Sequence, residues 1–252
     1  MFSDTSDDVS KTATLYGLIS AVGLAGLPVY CFFKDFRSRF YNVFFVLVAL
    51  LSLLVAIHLL NRTALVILMI AFFMVVLLKS NFNMVKILFY AILLLISMYF
   101  IMDFVNIDII DAFIARNEES DFAGGGGRFW RWGDAILKMW KYPFGWIFNS
   151  QTYNDYCHNM WLDFARQAGW IPFLTFSILT FKSFKTVYKI IIIERTSFTS
   201  LLVVMNVCLF LACSMEPVME GCAFILFFYC LVLGIQDAYF HKLKLLQKIH
   251  SY

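Results

Sequence analysis

Apolar runs of about twenty residues recur along this chain, longer and more numerous than a soluble core can hide. A membrane-crossing helix needs about 20 mainly apolar residues to traverse roughly 30 Å of hydrocarbon. Runs of that kind lie near 14–33, 41–60, 63–78, 85–102, 168–186, 198–214 and 222–240. The third is short. The fifth is the weakest, because Lys182 and Lys185 punctuate its end. Only 15% of the residues are charged, against about 25% in a typical soluble domain. The expected fold is therefore all-α, a polytopic membrane helix bundle of about seven spans with one large extra-cytoplasmic loop.

Basic residues near span ends give the orientation. Lys34, Arg37 and Arg39 follow the first span, and Lys79 and Lys86 lie between the third and fourth. Lys182, Lys185, Lys189 and Arg195 follow the fifth, and Lys242, Lys244 and Lys248 form the tail. If the spans alternate, these twelve of the 20 basic residues share one side. The N-terminus is then outside, the C-terminus cytoplasmic, and the segment 103–167 outward. Three regions follow: a four-span region (1–102), the outer loop (103–167), and a three-span region with a basic cytoplasmic tail (168–252). Met1 to Lys11 is acidic and polar, without the basic start of a cleavable signal peptide.

The net charge of +3 is small and its basic residues are scattered, which argues against a nucleic-acid partner. Most of the six cysteines sit inside apolar runs, where a thiol behaves as a small hydrophobe. Cys213 and Cys222 flank one short loop and are expected to stay unbridged. No cysteine or histidine spacing points to a metal.

Chemistry-bearing residues concentrate in the outer loop. Gly124-Gly125-Gly126-Gly127 allows a tight fold, a close backbone approach to a ligand, or a plain hinge. Arg131, Asp134, Lys138 and Lys141 then fall on one helical face, with Trp130, Ile136, Leu137 and Trp140 on the other. That pattern predicts an amphipathic helix lying in the outer interface. Tyr142-Pro143-Phe144-Gly145 should end it. Further on, Asn159 is placed to start a helix, and Asp163 to orient a charge near its outer end. His158 precedes Asn159; a lone histidine is more often structural than catalytic, yet its pKa of about 6.5 suits proton transfer.

Arg62 lies in the short hairpin His58-Leu-Leu-Asn61-Arg62-Thr63, near membrane depth. A charge there either marks a functional site or snorkels to the interface. Glu216 and Glu220 occupy a second outward hairpin. Arginine forks bind phosphate in pairs of charge-assisted bonds, so Arg62, Arg128 and Arg131 with His158 fit a lipid-linked phosphate attacked by a hydroxyl.

The order of these elements resembles the membrane O-antigen ligase and polymerase superfamily. Asn61-Arg62-Thr63-Ala64-Leu65 is similar to that family's Arg-small motif at the head of a span. Gly126-Gly127-Arg128-Phe-Trp-Arg131-Trp with Tyr142-Pro143-Phe144-Gly145 is similar to its loop pattern, and His158-Asn159 with Gly169 to its His-Asn segment. The resemblance covers roughly residues 50–240. It implies a cofactor-free, metal-independent glycosyltransferase at the outer face of a bacterial cytoplasmic membrane, working in lipopolysaccharide or other surface-polysaccharide biosynthesis. The donor would be an undecaprenyl-diphosphate-linked glycan, and the hydroxyl acceptor either lipid A core or the growing glycan. Arg62 and Arg128 would bind the diphosphate and His158 would activate the acceptor, with Arg131, Asn159, Glu216 and Glu220 as secondary candidates. Family members usually carry around a dozen spans, so this chain corresponds to a short or C-terminal form. The competing reading is a non-catalytic or truncated membrane partner of a polysaccharide assembly system. A transporter is disfavoured, since no span carries paired acids.

Overall fold

The computed structural model describes residues 16, 19–20, 22–32, 39–58, 62–79, 128–149, 157–216 and 218–250. The expected fourth span, the glycine run 124–127 and Asn61 lie outside the described residues. Every regular element among those described is helical: α1 (Leu27–Phe32), α2 (Arg39–His58), α3 (Arg62–Lys79), α4 (Arg128–Lys141), a 3-10 turn (Ile147–Asn149), α5 (Met160–Ala168), α6 (Trp170–Ile193), α7 (Ser197–Met215), α8 (Val218–Gly221) and α9 (Ala223–His250).

Among the described residues two helices are long and apolar enough to cross a membrane, Ser197–Met215 and Ala223–Ile249. Neither a glycine nor a proline interrupts the first. It starts at a capping box: Thr199 N–H donates to Thr196 Oγ1 (3.3 Å), and Thr196 N–H donates to Thr199 Oγ1 (2.9 Å). Within this helix 56% of the apolar window is buried, against 28% for Ala223–Ile249. The difference puts α7 at the centre, against α3, α6 and α9. Small side chains at Ala64, Ala71 and Ala212 let α3 and α7 approach closely. Outward-facing positions are apolar as well, among them Leu51, Leu54, Ile178, Phe181, Phe227 and Leu231. Such a surface suits lipid better than water.

Three polar side chains inside the bundle are linked to each other. Asn206 Nδ2 donates to Ser183 Oγ (3.0 Å), Ser183 Oγ to Gln236 Oε1 (2.7 Å), and Gln236 Nε2 to the Leu202 carbonyl (3.2 Å). This chain of bonds locks α6, α7 and α9 in register.

The contacts also order the helix ends. Thr63 at the start of α3 meets Glu216 just past the end of α7, whereas Leu78 clusters with Val187 and Val203 at the opposite end. Helices α3, α6 and α9 thus run parallel and α7 runs against them. Lys79, Lys189, Arg195, Lys242, Lys244 and Lys248 gather toward one end, and Thr63, Asn159 and Glu216 toward the other.

Two helices run on past the ends of the expected spans. Lys182 and Lys185 do not end the fifth apolar segment: α6 runs on to Ile193. Both lysines are exposed while Thr186, Val187 and Ile190 stay buried, and a charge on the outer face of a helix does not terminate it. Residues 241–250 are likewise the helical continuation of α9, with no proline or glycine to stop it. Cys213 and Cys222 are free thiols.

Candidate functional site at one end of the bundle

Asn159 caps α5 from an extended backbone, and its Oδ1 accepts from Trp161 N–H (3.1 Å) and Leu162 N–H (3.3 Å). Its Nδ2 donates to the Ser214 carbonyl at 3.4 Å, linking α5 to the end of α7. Asn159→Ala should lower stability by about 1 kcal/mol through the lost cap, readable as a lower thermal midpoint of the detergent-purified chain.

Just before this cap, both backbone groups of Cys157 are held. Its N–H donates to Asp163 Oδ1 (2.8 Å), and its carbonyl accepts from Trp132 Nε1 (2.9 Å). Asp163 is fully buried, and Arg166 Nε lies 3.7 Å from the same oxygen. Asp163 therefore serves the backbone ahead of the histidine as well as a neighbouring charge. His158 follows this fixed point with φ 51°, the left-handed region that non-glycine residues seldom visit. It is the sole non-glycine residue with positive φ among the described residues. Backbone strain of this kind tends to collect at functional positions.

Glu216 is buried, and its Oε1 accepts from Thr63 Oγ1. Thr63 directly follows Arg62, which opens α3. Met160, Ala64, Val218 and Cys222 share one core cluster. Three segments far apart in sequence, around 62–64, 157–163 and 212–222, thus meet at one end of the bundle. The side chains of Arg62, Arg128 and Glu220 lie outside the described residues. Their backbones place Arg62 and Arg128 first in α3 and α4, and Glu220 within α8.

Helix α4 spans Arg128–Lys141 and ends where Tyr142-Pro143-Phe144-Gly145 turns. Arg131 is half-buried, next to the Trp132 that holds Cys157. Asp134 and Lys138 pair at 2.7 Å. The broad apolar side of this helix is partly packed and partly exposed. Ala135 and Met139 pack with Cys157, Leu162 and Ala165, while Trp130 (74% exposed) and Leu137 (72%) face away from the protein and Trp140 (73%) is exposed beside the Trp170 ring.

The turn after α4 docks on the junction of α5 and α6. Trp146 N–H donates to the Arg166 carbonyl (2.9 Å), Trp170 N–H to the Pro143 carbonyl (3.0 Å), and Trp170 Nε1 to the Met139 carbonyl (3.0 Å). Gly145 (φ 99°) and Gly169 (φ 82°) provide the two close approaches. Trp132, Thr63, Ser214 and Arg166 were not singled out from sequence. Their signals are slight: Thr63 and Trp132 adjoin candidate arginines, and Arg166 lies one helical turn after Asp163.

The arrangement offers an imidazole on a fixed backbone, a buried carboxylate, and two helix starts carrying arginine. Among the described residues no group of three or more His, Cys, Asp or Glu could hold a metal ion. Comparison with protein-family models, with curated proteins and with solved structures gives no match.

Proposed function

We propose that this chain is a polytopic membrane enzyme that transfers or polymerises an undecaprenyl-diphosphate-linked glycan at the outer face of a bacterial cytoplasmic membrane. The observation that carries the reading is the meeting of the Arg62-Thr63, His158-Asn159 and Ser214–Glu216 segments at the end opposite the lysine-rich one. About seven spans, with the lysine-rich end cytoplasmic, put that meeting point on the outer side. A lipid-linked donor reaches it from the bilayer, and its acceptor from water.

Arg62 and Arg128 bind the diphosphate, with Arg131 beside them, and stabilise charge developing on the leaving group. His158 takes the proton of the acceptor hydroxyl as its oxygen bonds the anomeric carbon. The bond from that carbon to the diphosphate breaks, releasing the lipid diphosphate. Glu216 acts from its buried seat on Thr63 by fixing the start of α3 beneath Arg62.

The test is the surface-polysaccharide ladder of the native host after deletion of the gene. Complementation by wild type should restore the ladder, and Arg62→Ala or His158→Ala should not, with both variants present in the membrane. A ladder cut to single repeats marks a polymerase. Unattached lipid-linked polymer marks a ligase. A ladder unchanged by deletion would remove the enzyme reading in favour of a non-catalytic partner.

A further inference from the structure

We propose that the cleft between α6 and α9 toward the lysine-rich end binds one anionic phospholipid, its phosphate held by Lys189 and Lys244 and an acyl chain lying along Gly234. The inference rests on these helices lying in a bilayer and is independent of glycosyl transfer.

The cleft measures about 280 Å³, and Phe176, Leu179, Leu233 and Gly234 form its apolar part. Going toward the lysine-rich end, the wall becomes polar at Ser183, Lys182 and Asp237. One to two turns further, Lys189 Nζ and Lys244 Nζ lie 5.7 and 4.6 Å from the centre of one ring, that of Phe240. Phe240 is buried, and an ammonium group from each of two helices approaches its ring.

Two ammonium groups near one ring favour an anion between them. Among the described residues no ion pair with a carboxylate involves either lysine; Asp237 is already shared by Lys182 (3.8 Å) and His241 (3.7 Å). A phosphodiester between the two ammonium groups would supply that anion. The order along the cleft, apolar then polar then cationic, matches a phospholipid from chain to headgroup. Gly234 adds a further sign: a Cβ built there meets nothing within 4 Å, so the protein's own packing does not require glycine. Its missing side chain leaves the wall open to an occupant.

The test is native mass spectrometry of the full chain purified in detergent, with added phosphatidylglycerol or phosphatidylcholine. Phosphatidylglycerol should be retained in preference. Lys189→Gln with Lys244→Gln should lower retention by roughly tenfold or more, through the loss of two hydrogen bonds to a charged phosphate. Lys79→Gln with Lys242→Gln removes equal charge at the same end outside the cleft and should leave retention at the wild-type level. Gly234→Leu should also lower it, with helicity by circular dichroism unchanged. Equal retention of phosphatidylcholine would overturn the proposal. So would an equal loss in the control pair, which would mean diffuse attraction to the basic end. Full retention in Gly234→Leu would overturn the acyl-chain seat. None of these outcomes bears on the polysaccharide ladder, so the two readings fail separately.

Discussion

If His158 is the general base of the proposed transfer, replacing it with asparagine is expected to lower that activity by roughly two to four orders of magnitude while the fold is kept. The separation follows from the backbone. At φ 51° a side chain crowds its own carbonyl, and asparagine tolerates that region better than almost any residue except glycine. His158→Asn therefore keeps the conformation and loses the imidazole. His158→Gly should lose the same activity yet raise stability by about 1 kcal/mol, because it relieves the strain. His158→Val should lose stability together with activity, since a branched Cβ resists positive φ and would pull against both anchors on Cys157. Transfer of labelled glycan in vesicles, beside thermal unfolding of the same preparations, reads these effects. Full activity in the His158→Asn variant would show that no proton passes through the imidazole.

The largest structural effect is expected from Gly169→Ala. Gly169 has φ 82° and ψ −157°, a region essentially restricted to glycine. A Cβ there would lie 2.0 Å from the Pro143 carbonyl oxygen and 2.6 Å from Phe144 Cα, both backbone atoms that cannot swing aside. Backbone strain and overpacking each cost about 1–3 kcal/mol, so a loss of roughly 3–5 kcal/mol is expected. The damage should be local. The turn after α4 should leave the α5–α6 junction, breaking the bonds of Trp170 to Pro143 and Met139, while the α6, α7 and α9 bundle keeps its polar lock. Limited proteolysis between 142 and 149 should become rapid as the helical signal changes little. Cleavage at the wild-type rate would contradict the clamp.

What the sequence reveals follows from how local each signal is. Asn159 as a cap and Pro143 with Gly145 as a stop are legible because capping and turning depend on a few neighbouring residues. The ends of α6 and α9 are less so. Lys182 and Lys185 look like a boundary in one dimension, but on a helix they point away from the buried stripe of Thr186, Val187 and Ile190. The amphipathic pattern of α4 predicts one apolar face; that the part of it around Ala135 and Met139 is covered by protein is found only once α5 is set against it. Likewise, Gly169 stands in a recognisable position, but its necessity depends on Pro143, twenty-six residues earlier. Thr63 and Ser214 enter the site through single bonds to partners far along the chain, and nothing in their own neighbourhoods foretells them.

The partly packed helix α4 has a mechanical meaning. Its inner side holds the histidine's backbone through Trp132, and its outer side presents Trp130, Leu137 and Trp140, rings and chains that settle at the boundary between headgroups and hydrocarbon. The same short rod is thus float and bracket at once. In a bilayer, the height of the His158 imidazole would be set against the lipid surface itself rather than by the length of the spans beneath, so a thicker or thinner membrane would leave it level with the headgroups.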